Sequence, residues 1–332
     1  MKKKLLVCCT DAGGAANIAP IVDYIDKKNI FSFTILTNDY TKKYFINYKK
    51  NHSKYLINSS KDATKILLLE KPNIILCGTT RFFDSPENLL IREAQKLNIK
   101  SLAIIDEWYN YKKRFADGKN NFCYPDFIAL NDDLAKKEAI QEGIPEEKCF
   151  ITGSPSLTSI NKKYLSFIDC CPIPPDFIIK SNLVITLLSE THSKDFGERY
   201  GESGVSGDYL GYSEKTVIND ILKSLINLNI NNKISFIEKL HPSDQNKFNK
   251  KLISKNITHI QIRDCDLASL LWYSHIIIGM TSISLIEASF LERSIASYQP
   301  NLIGINYCTA NRLKLVDIGS ISISIFSDLL LL

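Results

Sequence analysis

The sequence predicts an α/β protein made of two successive domains, each with a parallel sheet covered by helices on both faces. In each half, short apolar runs alternate with amphipathic stretches, which is the pattern of β-α-β units. The chain has 332 residues, a length that corresponds to about two domains. A proline-rich stretch, Cys171-Pro172-Ile173-Pro174-Pro175, separates the halves and indicates a linker.

The first half alternates between strand-like and helix-like segments. Ile18, Ile21 and Ile25 recur at helical spacing after the first apolar run, which indicates an amphipathic helix. Pro86 stands near the start of a later helical pattern, where its missing N–H costs least. The predicted strands are 4–10, 31–36, 73–78, 101–105 and 127–130, and the predicted helices are 15–27, 60–69, 86–96 and 132–142. We therefore place the first domain at residues 1–155.

The second half repeats this alternation. The predicted strands are 183–188, 234–237, 259–262, 276–279 and 295–298, and the predicted helices are 216–228, 244–253, 267–273 and 284–291. We place a linker with a short helix at 156–180, the second domain at 181–310 and a C-terminal segment at 311–332. Tandem domains of this kind leave a cleft between them, the usual place for a ligand.

Charge and cysteine content exclude several classes of protein. The 41 basic and 36 acidic residues give a net charge of +5, which is mild; we expect no nucleic-acid partner, while an anionic substrate or a membrane surface fits. No apolar run approaches the ~18 residues of a membrane span, so we expect a cytoplasmic protein with possible peripheral contact at the inner membrane face. None of the nine cysteines forms a Cys-x-x-Cys pair, which indicates reduced thiols and no zinc or redox motif.

The loop after the first predicted strand reads Asp11-Ala12-Gly13-Gly14-Ala15-Ala16-Asn17. Gly13 and Gly14 would let a ligand approach the backbone, and a helix N-terminus favours an anion. The loop lacks the G-x-G-x-x-G spacing of dinucleotide-binding proteins. It is equally consistent with a tight strand-to-helix turn.

An acidic pair, Asp106-Glu107, follows another predicted strand and precedes Trp108. Ligands of open α/β sheets bind at the carboxyl ends of strands. Partial burial there would raise the pKa of a carboxylate towards the value that a general base needs. The alternative is an ordinary helix cap, or salt bridges to the basic residues at 112–114. The position at the strand end favours the base.

The second half has two further polar strand ends. His241-Pro242 follows a predicted strand close to Lys239, and its imidazole could neutralise a leaving phosphate or be purely structural. Ser189-Glu190-Thr191-His192 ends the first strand of the second domain, and a polar stretch continues to Gly211. Such an insertion could be an active-site lid or a disordered surface loop.

A hydroxyl cluster opens the helix predicted after the strand at 276–279. Thr281, Ser282 and Ser284 could bind a phosphate together with free backbone N–H groups, although one of them could simply cap the helix. Glu287 lies one turn further on, on the side of the helix shared with Ser284. It could reach ribose hydroxyls or be solvated.

Taken together, the chain resembles the GT-B fold of glycosyltransferases, which has two tandem Rossmann-like domains. The stretch 72–80 is similar to a strand and loop of UDP-N-acetylglucosamine 2-epimerases, which share that fold. Asp106-Glu107, His241-Pro242 and Thr281-Ser282-Ile283-Ser284 are similar, in that order, to the acidic, His-Pro and Ser/Thr motifs of bacterial sialyltransferases. One departure is that Trp108 stands where that family has glycine.

The resemblance implies an inverting, metal-independent glycosyltransferase that moves a nonulosonic acid of the sialic, legionaminic or pseudaminic type from CMP. The acceptor would be a glycan, a lipid-linked glycan or a protein, and no cofactor is needed beyond the CMP-linked donor. The implied catalytic residues are Asp106 or Glu107, as the base, and His241, which would hold the leaving phosphate. We assign donor binding to Gly13, Gly14, Ser189, Glu190, Lys239, Pro242, Thr281, Ser282, Ser284 and Glu287. We assign acceptor binding to Asp11, Asn17, Trp108 and Tyr109, the last two as a stacking wall for a sugar ring.

Three alternatives remain open. The His-Pro and Ser/Thr pattern also resembles transferases that use CMP-Kdo or CDP-glycerol. A UDP-sugar transferase similar to MurG, or a 2-epimerase, would also have a Gly-rich first loop, but the second domain lacks the Gly-rich phosphate loop of MurG. A binding module without activity would bind a nucleotide even after both acids, Asp106 and Glu107, are removed.

Overall fold

The computed structural model describes residues 2–53, 56–80, 83–119, 121–179, 182–228, 231–244, 248–304 and 306–312. The chain divides into two compact units, of which the first spans Met1–Ser159 and the second begins at Ile160. Each unit contains one six-stranded sheet, so the predicted α/β class with two sheets is confirmed. From residue 313 on, the predicted segment 311–332 lies outside the described residues.

The first unit has an all-parallel sheet. Its strands are β1 (Lys3–Cys8), β2 (Phe31–Leu36), β3 (Ile74–Cys77), β4 (Lys100–Ile104), β5 (Phe127–Leu130) and β6 (Cys149–Ile151). Its helices are α1 (Ala12–Lys28), α2 (Ser60–Glu70), α3 (Pro86–Lys96) and α4 (Asp133–Gln141), with 3-10 segments at Lys42–Asn51, Lys112–Phe115 and Glu146–Lys148. The strand order is β2-β1-β3-β4-β5-β6, so the direction of winding reverses between β1 and β3.

The second unit is built in the same way. Helix α5 (Pro155–Asp169) leads into it. Its strands are β7 (Leu183–Leu188), β8 (Ile234–Lys239), β9 (Phe248–Ser254), β10 (Ile257–Ile262), β11 (Ile276–Gly279) and β12 (Ser294–Ser297). Its helices are α6 (His192–Phe196), α7 (Glu214–Asn227), α8 (Leu267–Tyr273), α9 (Ser284–Phe290) and α10 (Thr309–Arg312). The order is β12-β11-β7-β8-β10-β9, with winding reversed between β7 and β11.

The central strands are buried because helices cover both faces of a parallel sheet. On one face of the first sheet, Leu5 and Val7 of β1 pack with Ile18 and Val22 of α1. This is the apolar helix face that the sequence predicts. The carboxyl ends of the buried strands are thereby fixed, and the loops that follow them are placed side by side.

The helix predicted at 244–253 is wrong, because residues 248–254 form strand β9. This strand pairs with β10 in antiparallel register at the edge of the sheet. Phe248 and Leu252 are exposed, as expected of a strand at the sheet edge, while Ile253 packs against the core. Lysines 250 and 251 lie on this edge, as is common where a free strand edge must avoid further pairing.

Candidate functional site

The carboxyl edge of the first sheet brings three loops together. They follow β1, β3 and β4, and the first two flank the point where the winding reverses, which is where α/β sheets bind ligands. The loop backbones approach closely at two glycines. A Cβ on Gly14 would lie 3.1 Å from the Cα of Gly78. Glycine is therefore needed there for packing, and the tight-turn interpretation of the first loop is part of its role.

Two acids and one arginine form a cluster at the end of β4, in which Asp106 and Arg114 are buried and Glu107 is partly exposed. Asp106 is only 8% exposed and Arg114 only 4%. Arg114 Nη1 donates to Asp106 Oδ1 at 3.1 Å and to Thr79 Oγ1 at 3.0 Å, while Nη2 donates to Glu107 Oε2 at 2.6 Å. The salt-bridge alternative for the acidic pair is thus realised, through the last of the basic residues at 112–114.

The electrostatics of this cluster set Asp106 apart from an ordinary carboxylate. Burial raises the pKa of Asp106 to about 7, Arg114 opposes the rise, and Glu107 and Asp11 add to it. Burial would lower the pKa of Arg114, but the nearby carboxylates raise it overall, so the guanidinium stays charged. Asp106 therefore occurs in both protonation states near neutral pH, as a proton-transfer group requires.

Gly13 places the first turn of α1 directly against Asp106. A Cβ at Gly13 would lie 1.8 Å from Asp106 Oδ2, so no larger residue fits beside that oxygen. The side chain of Asp11 caps α1 by accepting from Gly13 N at 3.1 Å. The amide of Asn17 donates to Gly13 O at 3.1 Å. Asp11 and Asn17 thus hold the loop in place.

Glu87 in the first turn of α3 is a residue that the sequence analysis missed. Its buried carboxylate accepts from Thr10 N at 2.5 Å and from Thr10 Oγ1 at 2.8 Å. Burial raises its pKa, and the hydrogen bonds oppose the rise. An acid in the first turn of a helix is a common surface feature, so no local signal distinguishes Glu87 from a solvated one.

The predicted acceptor residues divide into buried and partly exposed ones. Trp108 is 3% exposed, and its indole N–H donates to Asp132 Oδ2 at 2.7 Å. The ring therefore belongs to the core, which corrects the predicted stacking wall. Asn17 is also buried, and its Oδ1 accepts from Ser154 Oγ at 3.0 Å. Tyr109 remains partly exposed.

The carboxyl edge of the second sheet is organised by Glu190, which follows β7. Its carboxylate accepts from Met280 N at 3.2 Å, from Thr281 N at 2.8 Å and from Thr281 Oγ1 at 2.5 Å. These bonds cross the reversal point between β7 and β11. Glu190 therefore shapes the loop after β11, and Ser189 lies 9% exposed beside it.

The rest of the hydroxyl cluster lies at the start of helix α9, with Ser282 two residues before Ser284, the first residue of the helix. Ser282 Oγ accepts from Ser284 N at 3.3 Å. The residue before the helix is Ile283, and no side-chain hydrogen bond caps the helix there. Burial raises the pKa of Glu287 to about 7, with Lys163 opposing the rise. Its side chain is only partly exposed, so Glu287 is not fully solvated.

The His-Pro motif follows β8, the neighbour of β7 in the sheet. His241 Nδ1 and Ser243 Oγ are 2.6 Å apart, and Ser243 N donates to His241 Nδ1 at 3.2 Å. These contacts, which span Pro242, orient the imidazole. Lys239 Nζ donates to Leu240 O at 2.9 Å, which keeps its ammonium group at this strand end.

The polar residues that follow α6 in the stretch 192–211 fold back onto that helix. Ser206 N donates to Asp195 O at 2.7 Å, and a Cβ on Gly204 would lie 2.3 Å from the carbonyl carbon of Asp195. His192 is 4% exposed, and its ring lies 5.2 Å from that of Tyr212. Neither His192 Nε2 nor the Tyr212 hydroxyl has a hydrogen-bond partner within the described part of the chain.

Two features are absent from the described residues. No helix among them has both the length and the apolar character to cross a membrane. No three of their His, Cys, Asp or Glu side chains group as a metal site. That the chemistry needs no metal stays a prediction.

The comparisons with known proteins find no matching family model and no matching curated protein. Solved structures do match. A protein from Listeria monocytogenes assigned as a UDP-N-acetylglucosamine 2-epimerase is 11% identical, covers 100% of this chain and 87% of its own, and has a TM-score of 0.66. The UDP-GlcNAc 2-epimerase from Neisseria meningitidis, solved with UDP-GlcNAc bound, is 16% identical over 90% and 83%, with a TM-score of 0.56. MurG from Acinetobacter baumannii is 10% identical over 99% and 90%, with a TM-score of 0.56. The chain has the GT-B fold.

Proposed function

We propose that this chain is an enzyme acting on a nucleotide-linked sugar, and that the nucleotide is UDP. The observation that carries the proposal is the Asp106 carboxyl, which is buried at the carboxyl end of β4 with a pKa of about 7. The fold supports the choice of nucleotide, because the similar structures include 2-epimerases of UDP-GlcNAc and MurG. This ranks the UDP-sugar alternative above the CMP-linked donor.

The role proposed for Asp106 is proton transfer. A group whose pKa lies near the working pH can take a proton and return it, and such catalysis contributes ~10²–10⁴-fold in rate. In a transferase the proton would come from an acceptor hydroxyl, and in an epimerase it would come from a sugar carbon. Arg114 fixes one carboxylate oxygen, and the other lies against Gly13. The carboxylate is thus oriented before substrate binds.

The second unit supplies the groups proposed for the nucleotide. The loops after β7, β8 and β11 carry Ser189, His241, Ser282 and Ser284 at one sheet edge. Hydroxyls, an imidazole and backbone N–H groups are the usual partners of phosphate and ribose oxygens. Glu190 would act indirectly, because it holds the loop after β11.

Two measurements on the purified protein test this proposal. The first is thermal stabilisation by UMP, UDP, CMP, CDP and GDP, where a ligand at a hundred times its Kd adds ~2.7 kcal/mol. We expect UDP to stabilise most, and no response to any nucleotide would contradict the proposal. The second is turnover of UDP-GlcNAc, followed by chromatography. A new UDP-sugar formed without acceptor indicates an epimerase, and UDP released only with acceptor sugars indicates a transferase.

A second candidate is the CMP-nonulosonate transferase, with CMP-Kdo or CDP-glycerol as related donors. One observation favours it. Asp106, His241 and Thr281 each follow a parallel strand, β4, β8 and β11 respectively, as the order of the sialyltransferase motifs leads one to expect. Stronger stabilisation by CMP than by UDP would select this candidate. Turnover would then be sought with CMP-linked acidic sugars.

A further inference from the structure

We infer that Arg114 is a positioning residue that orients Asp106 and controls when it releases its proton, by pairing with both acids of the Asp106-Glu107 pair at once. The inference rests on the proposed function, because it deepens the proton-transfer role given to Asp106. From the sequence alone, Arg114 is expected only as an ordinary salt-bridge partner.

The guanidinium geometry supports this role. Two nitrogens of Arg114 reach two different carboxylates, at 3.1 Å to Asp106 and 2.6 Å to Glu107. The nitrogen that holds Asp106 also donates to Thr79 Oγ1, whose hydroxyl in turn lies 3.2 Å from Ile104 O on β4. A planar fork of donors fixes the direction of each carboxylate, which the single ammonium of a lysine would not do.

The backbone around Arg114 is anchored independently of these acids. Tyr111 is fully buried, and its hydroxyl donates to Glu138 Oε2 of α4 at 3.0 Å. Phe115, at the other end of the same 3-10 segment, is 1% exposed. The packing of Tyr111 and Phe115 therefore delivers the guanidinium to the cluster, and no ligand is needed to place it there.

The charges around Asp106 determine the direction in which the removal of Arg114 should shift the pKa of Asp106. Arg114 lowers the pKa of Asp106, whereas Glu107 and Asp11 raise it in addition to burial. A cation beside a carboxylate typically lowers its pKa by about 1–3 units. Removing Arg114 should therefore make Asp106 hold its proton to higher pH. Removing the charge of Glu107 should have the opposite effect.

The test compares Arg114→Met and Glu107→Gln with Lys113→Met, a control that removes an exposed charge from the same segment. For each protein, the free energy of unfolding is measured from pH 4 to about pH 11 with and without Asp106→Asn, a range that includes the expected rise of about 1–3 units. The difference in unfolding free energy between each protein and its Asp106→Asn version changes with pH until Asp106 is fully ionised in the folded state. We call the pH at which this change stops its upper end. The upper end marks the pKa of Asp106 in the folded protein and can be measured without activity.

We expect the upper end near pH 7 in the wild type and in the Lys113→Met control. In Arg114→Met it should rise by about 1–3 pH units, and in Glu107→Gln it should fall. Where turnover is found, the acid limb of its pH profile should move in the same directions. Arg114→Lys, which keeps the charge, should restore most of the wild-type position.

An upper end that stays near pH 7 in Arg114→Met overturns the inference. If that variant does not fold, Arg114→Gln, which removes the charge but keeps a polar side chain, is measured in its place, and an unchanged position there overturns the inference, because a purely structural Arg114 would leave the proton affinity of Asp106 unchanged. Failure of the proposed function looks different. It would appear as no response to any nucleotide and no turnover, with the shifts in the unfolding measurements still present.

Discussion

The carboxyl edges of the two sheets are made by the same kind of parallel strands but differ in chemistry. The first edge joins two acids and an arginine in one cluster, in which Asp106 and Arg114 are buried and Asp106 has a pKa of about 7. At the second edge, Glu190 accepts three hydrogen bonds from Met280 and Thr281. That edge also carries serine hydroxyls and the His241 imidazole.

This difference indicates a division of labour between the two units. A buried, charged cluster holds a carboxyl whose protonation changes near neutral pH, which suits proton transfer. An edge of hydroxyls, imidazole and backbone N–H groups suits recognition of a ligand rich in oxygen atoms. We therefore expect substitutions at the first edge to lower turnover and substitutions at the second to lower nucleotide affinity.

The largest effect is expected from Asp106→Asn. Because the amide cannot take a proton, kcat should fall by ~10²–10⁴-fold, while the Kd for the nucleotide should change little. Steady-state kinetics and calorimetric titration measure the two quantities. Asp133→Asn is the matched control, since Asp133 is an exposed carboxylate in the first turn of α4. Equal losses of kcat and affinity would contradict the division between the edges.

The next largest effect is expected from Glu190→Gln at the second edge. The amide cannot accept all three hydrogen bonds, and a buried donor left unsatisfied costs about 1–3 kcal/mol. The loop after β11 should loosen, and nucleotide affinity should fall by about tenfold for each 1.4 kcal/mol transferred to binding. Calorimetry measures the affinity, with exposed Glu198→Gln as the control. Unchanged affinity would remove this loop from the nucleotide site.

The sequence predicts the elements near both edges well because they are apolar and local in origin. The strands that became β1, β4, β8 and β11 are short apolar runs buried in parallel sheets. The acidic pair and the His-Pro motif are recognisable because they directly follow such runs. The helix predicted at 244–253 is wrong because the polar residues of strand β9 fit a helix as well as an edge strand.

The parts of the site that escape prediction depend on contacts between distant residues. Glu87 reaches Thr10 across 77 positions of the chain, and nothing in its local sequence marks that contact. Trp108 follows the acidic pair but turns into the core, where Asp132 binds its indole N–H. Arg114 is one of several basic residues near the acids, and only packing at Tyr111 and Phe115 singles it out. Such burial arises only when the chain is folded, so it cannot be read from the neighbouring residues in the sequence.

A smaller effect is expected from Gly13→Ala, which should destabilise the wild type but stabilise an Asp106→Ala variant. A Cβ would lie 1.8 Å from Asp106 Oδ2, and overpacking of this kind costs about 1–3 kcal/mol. In an Asp106→Ala background the clash is absent, and alanine should then stabilise α1 by roughly 0.5–1 kcal/mol relative to glycine. Denaturant unfolding of the four proteins measures both values. A cost that persists without Asp106 would show that Gly13 is required for another reason.

The last prediction, Glu287→Gln, tests whether the second edge also holds a perturbed acid. Burial raises the folded pKa of Glu287 to about 7, against about 4.3 in an unfolded chain. The folded state therefore binds more protons between these values, and the wild type loses stability as pH rises through that window. Glutamine does not ionise, so the variant should match the wild type near pH 4 and exceed it by up to about 3–4 kcal/mol above pH 7. Unfolding measured across this range, with Glu198→Gln as the exposed control, gives the difference. A flat difference would make Glu287 an ordinary carboxylate and sharpen the contrast between the edges, whereas the expected rise would extend proton-linked chemistry to the second unit.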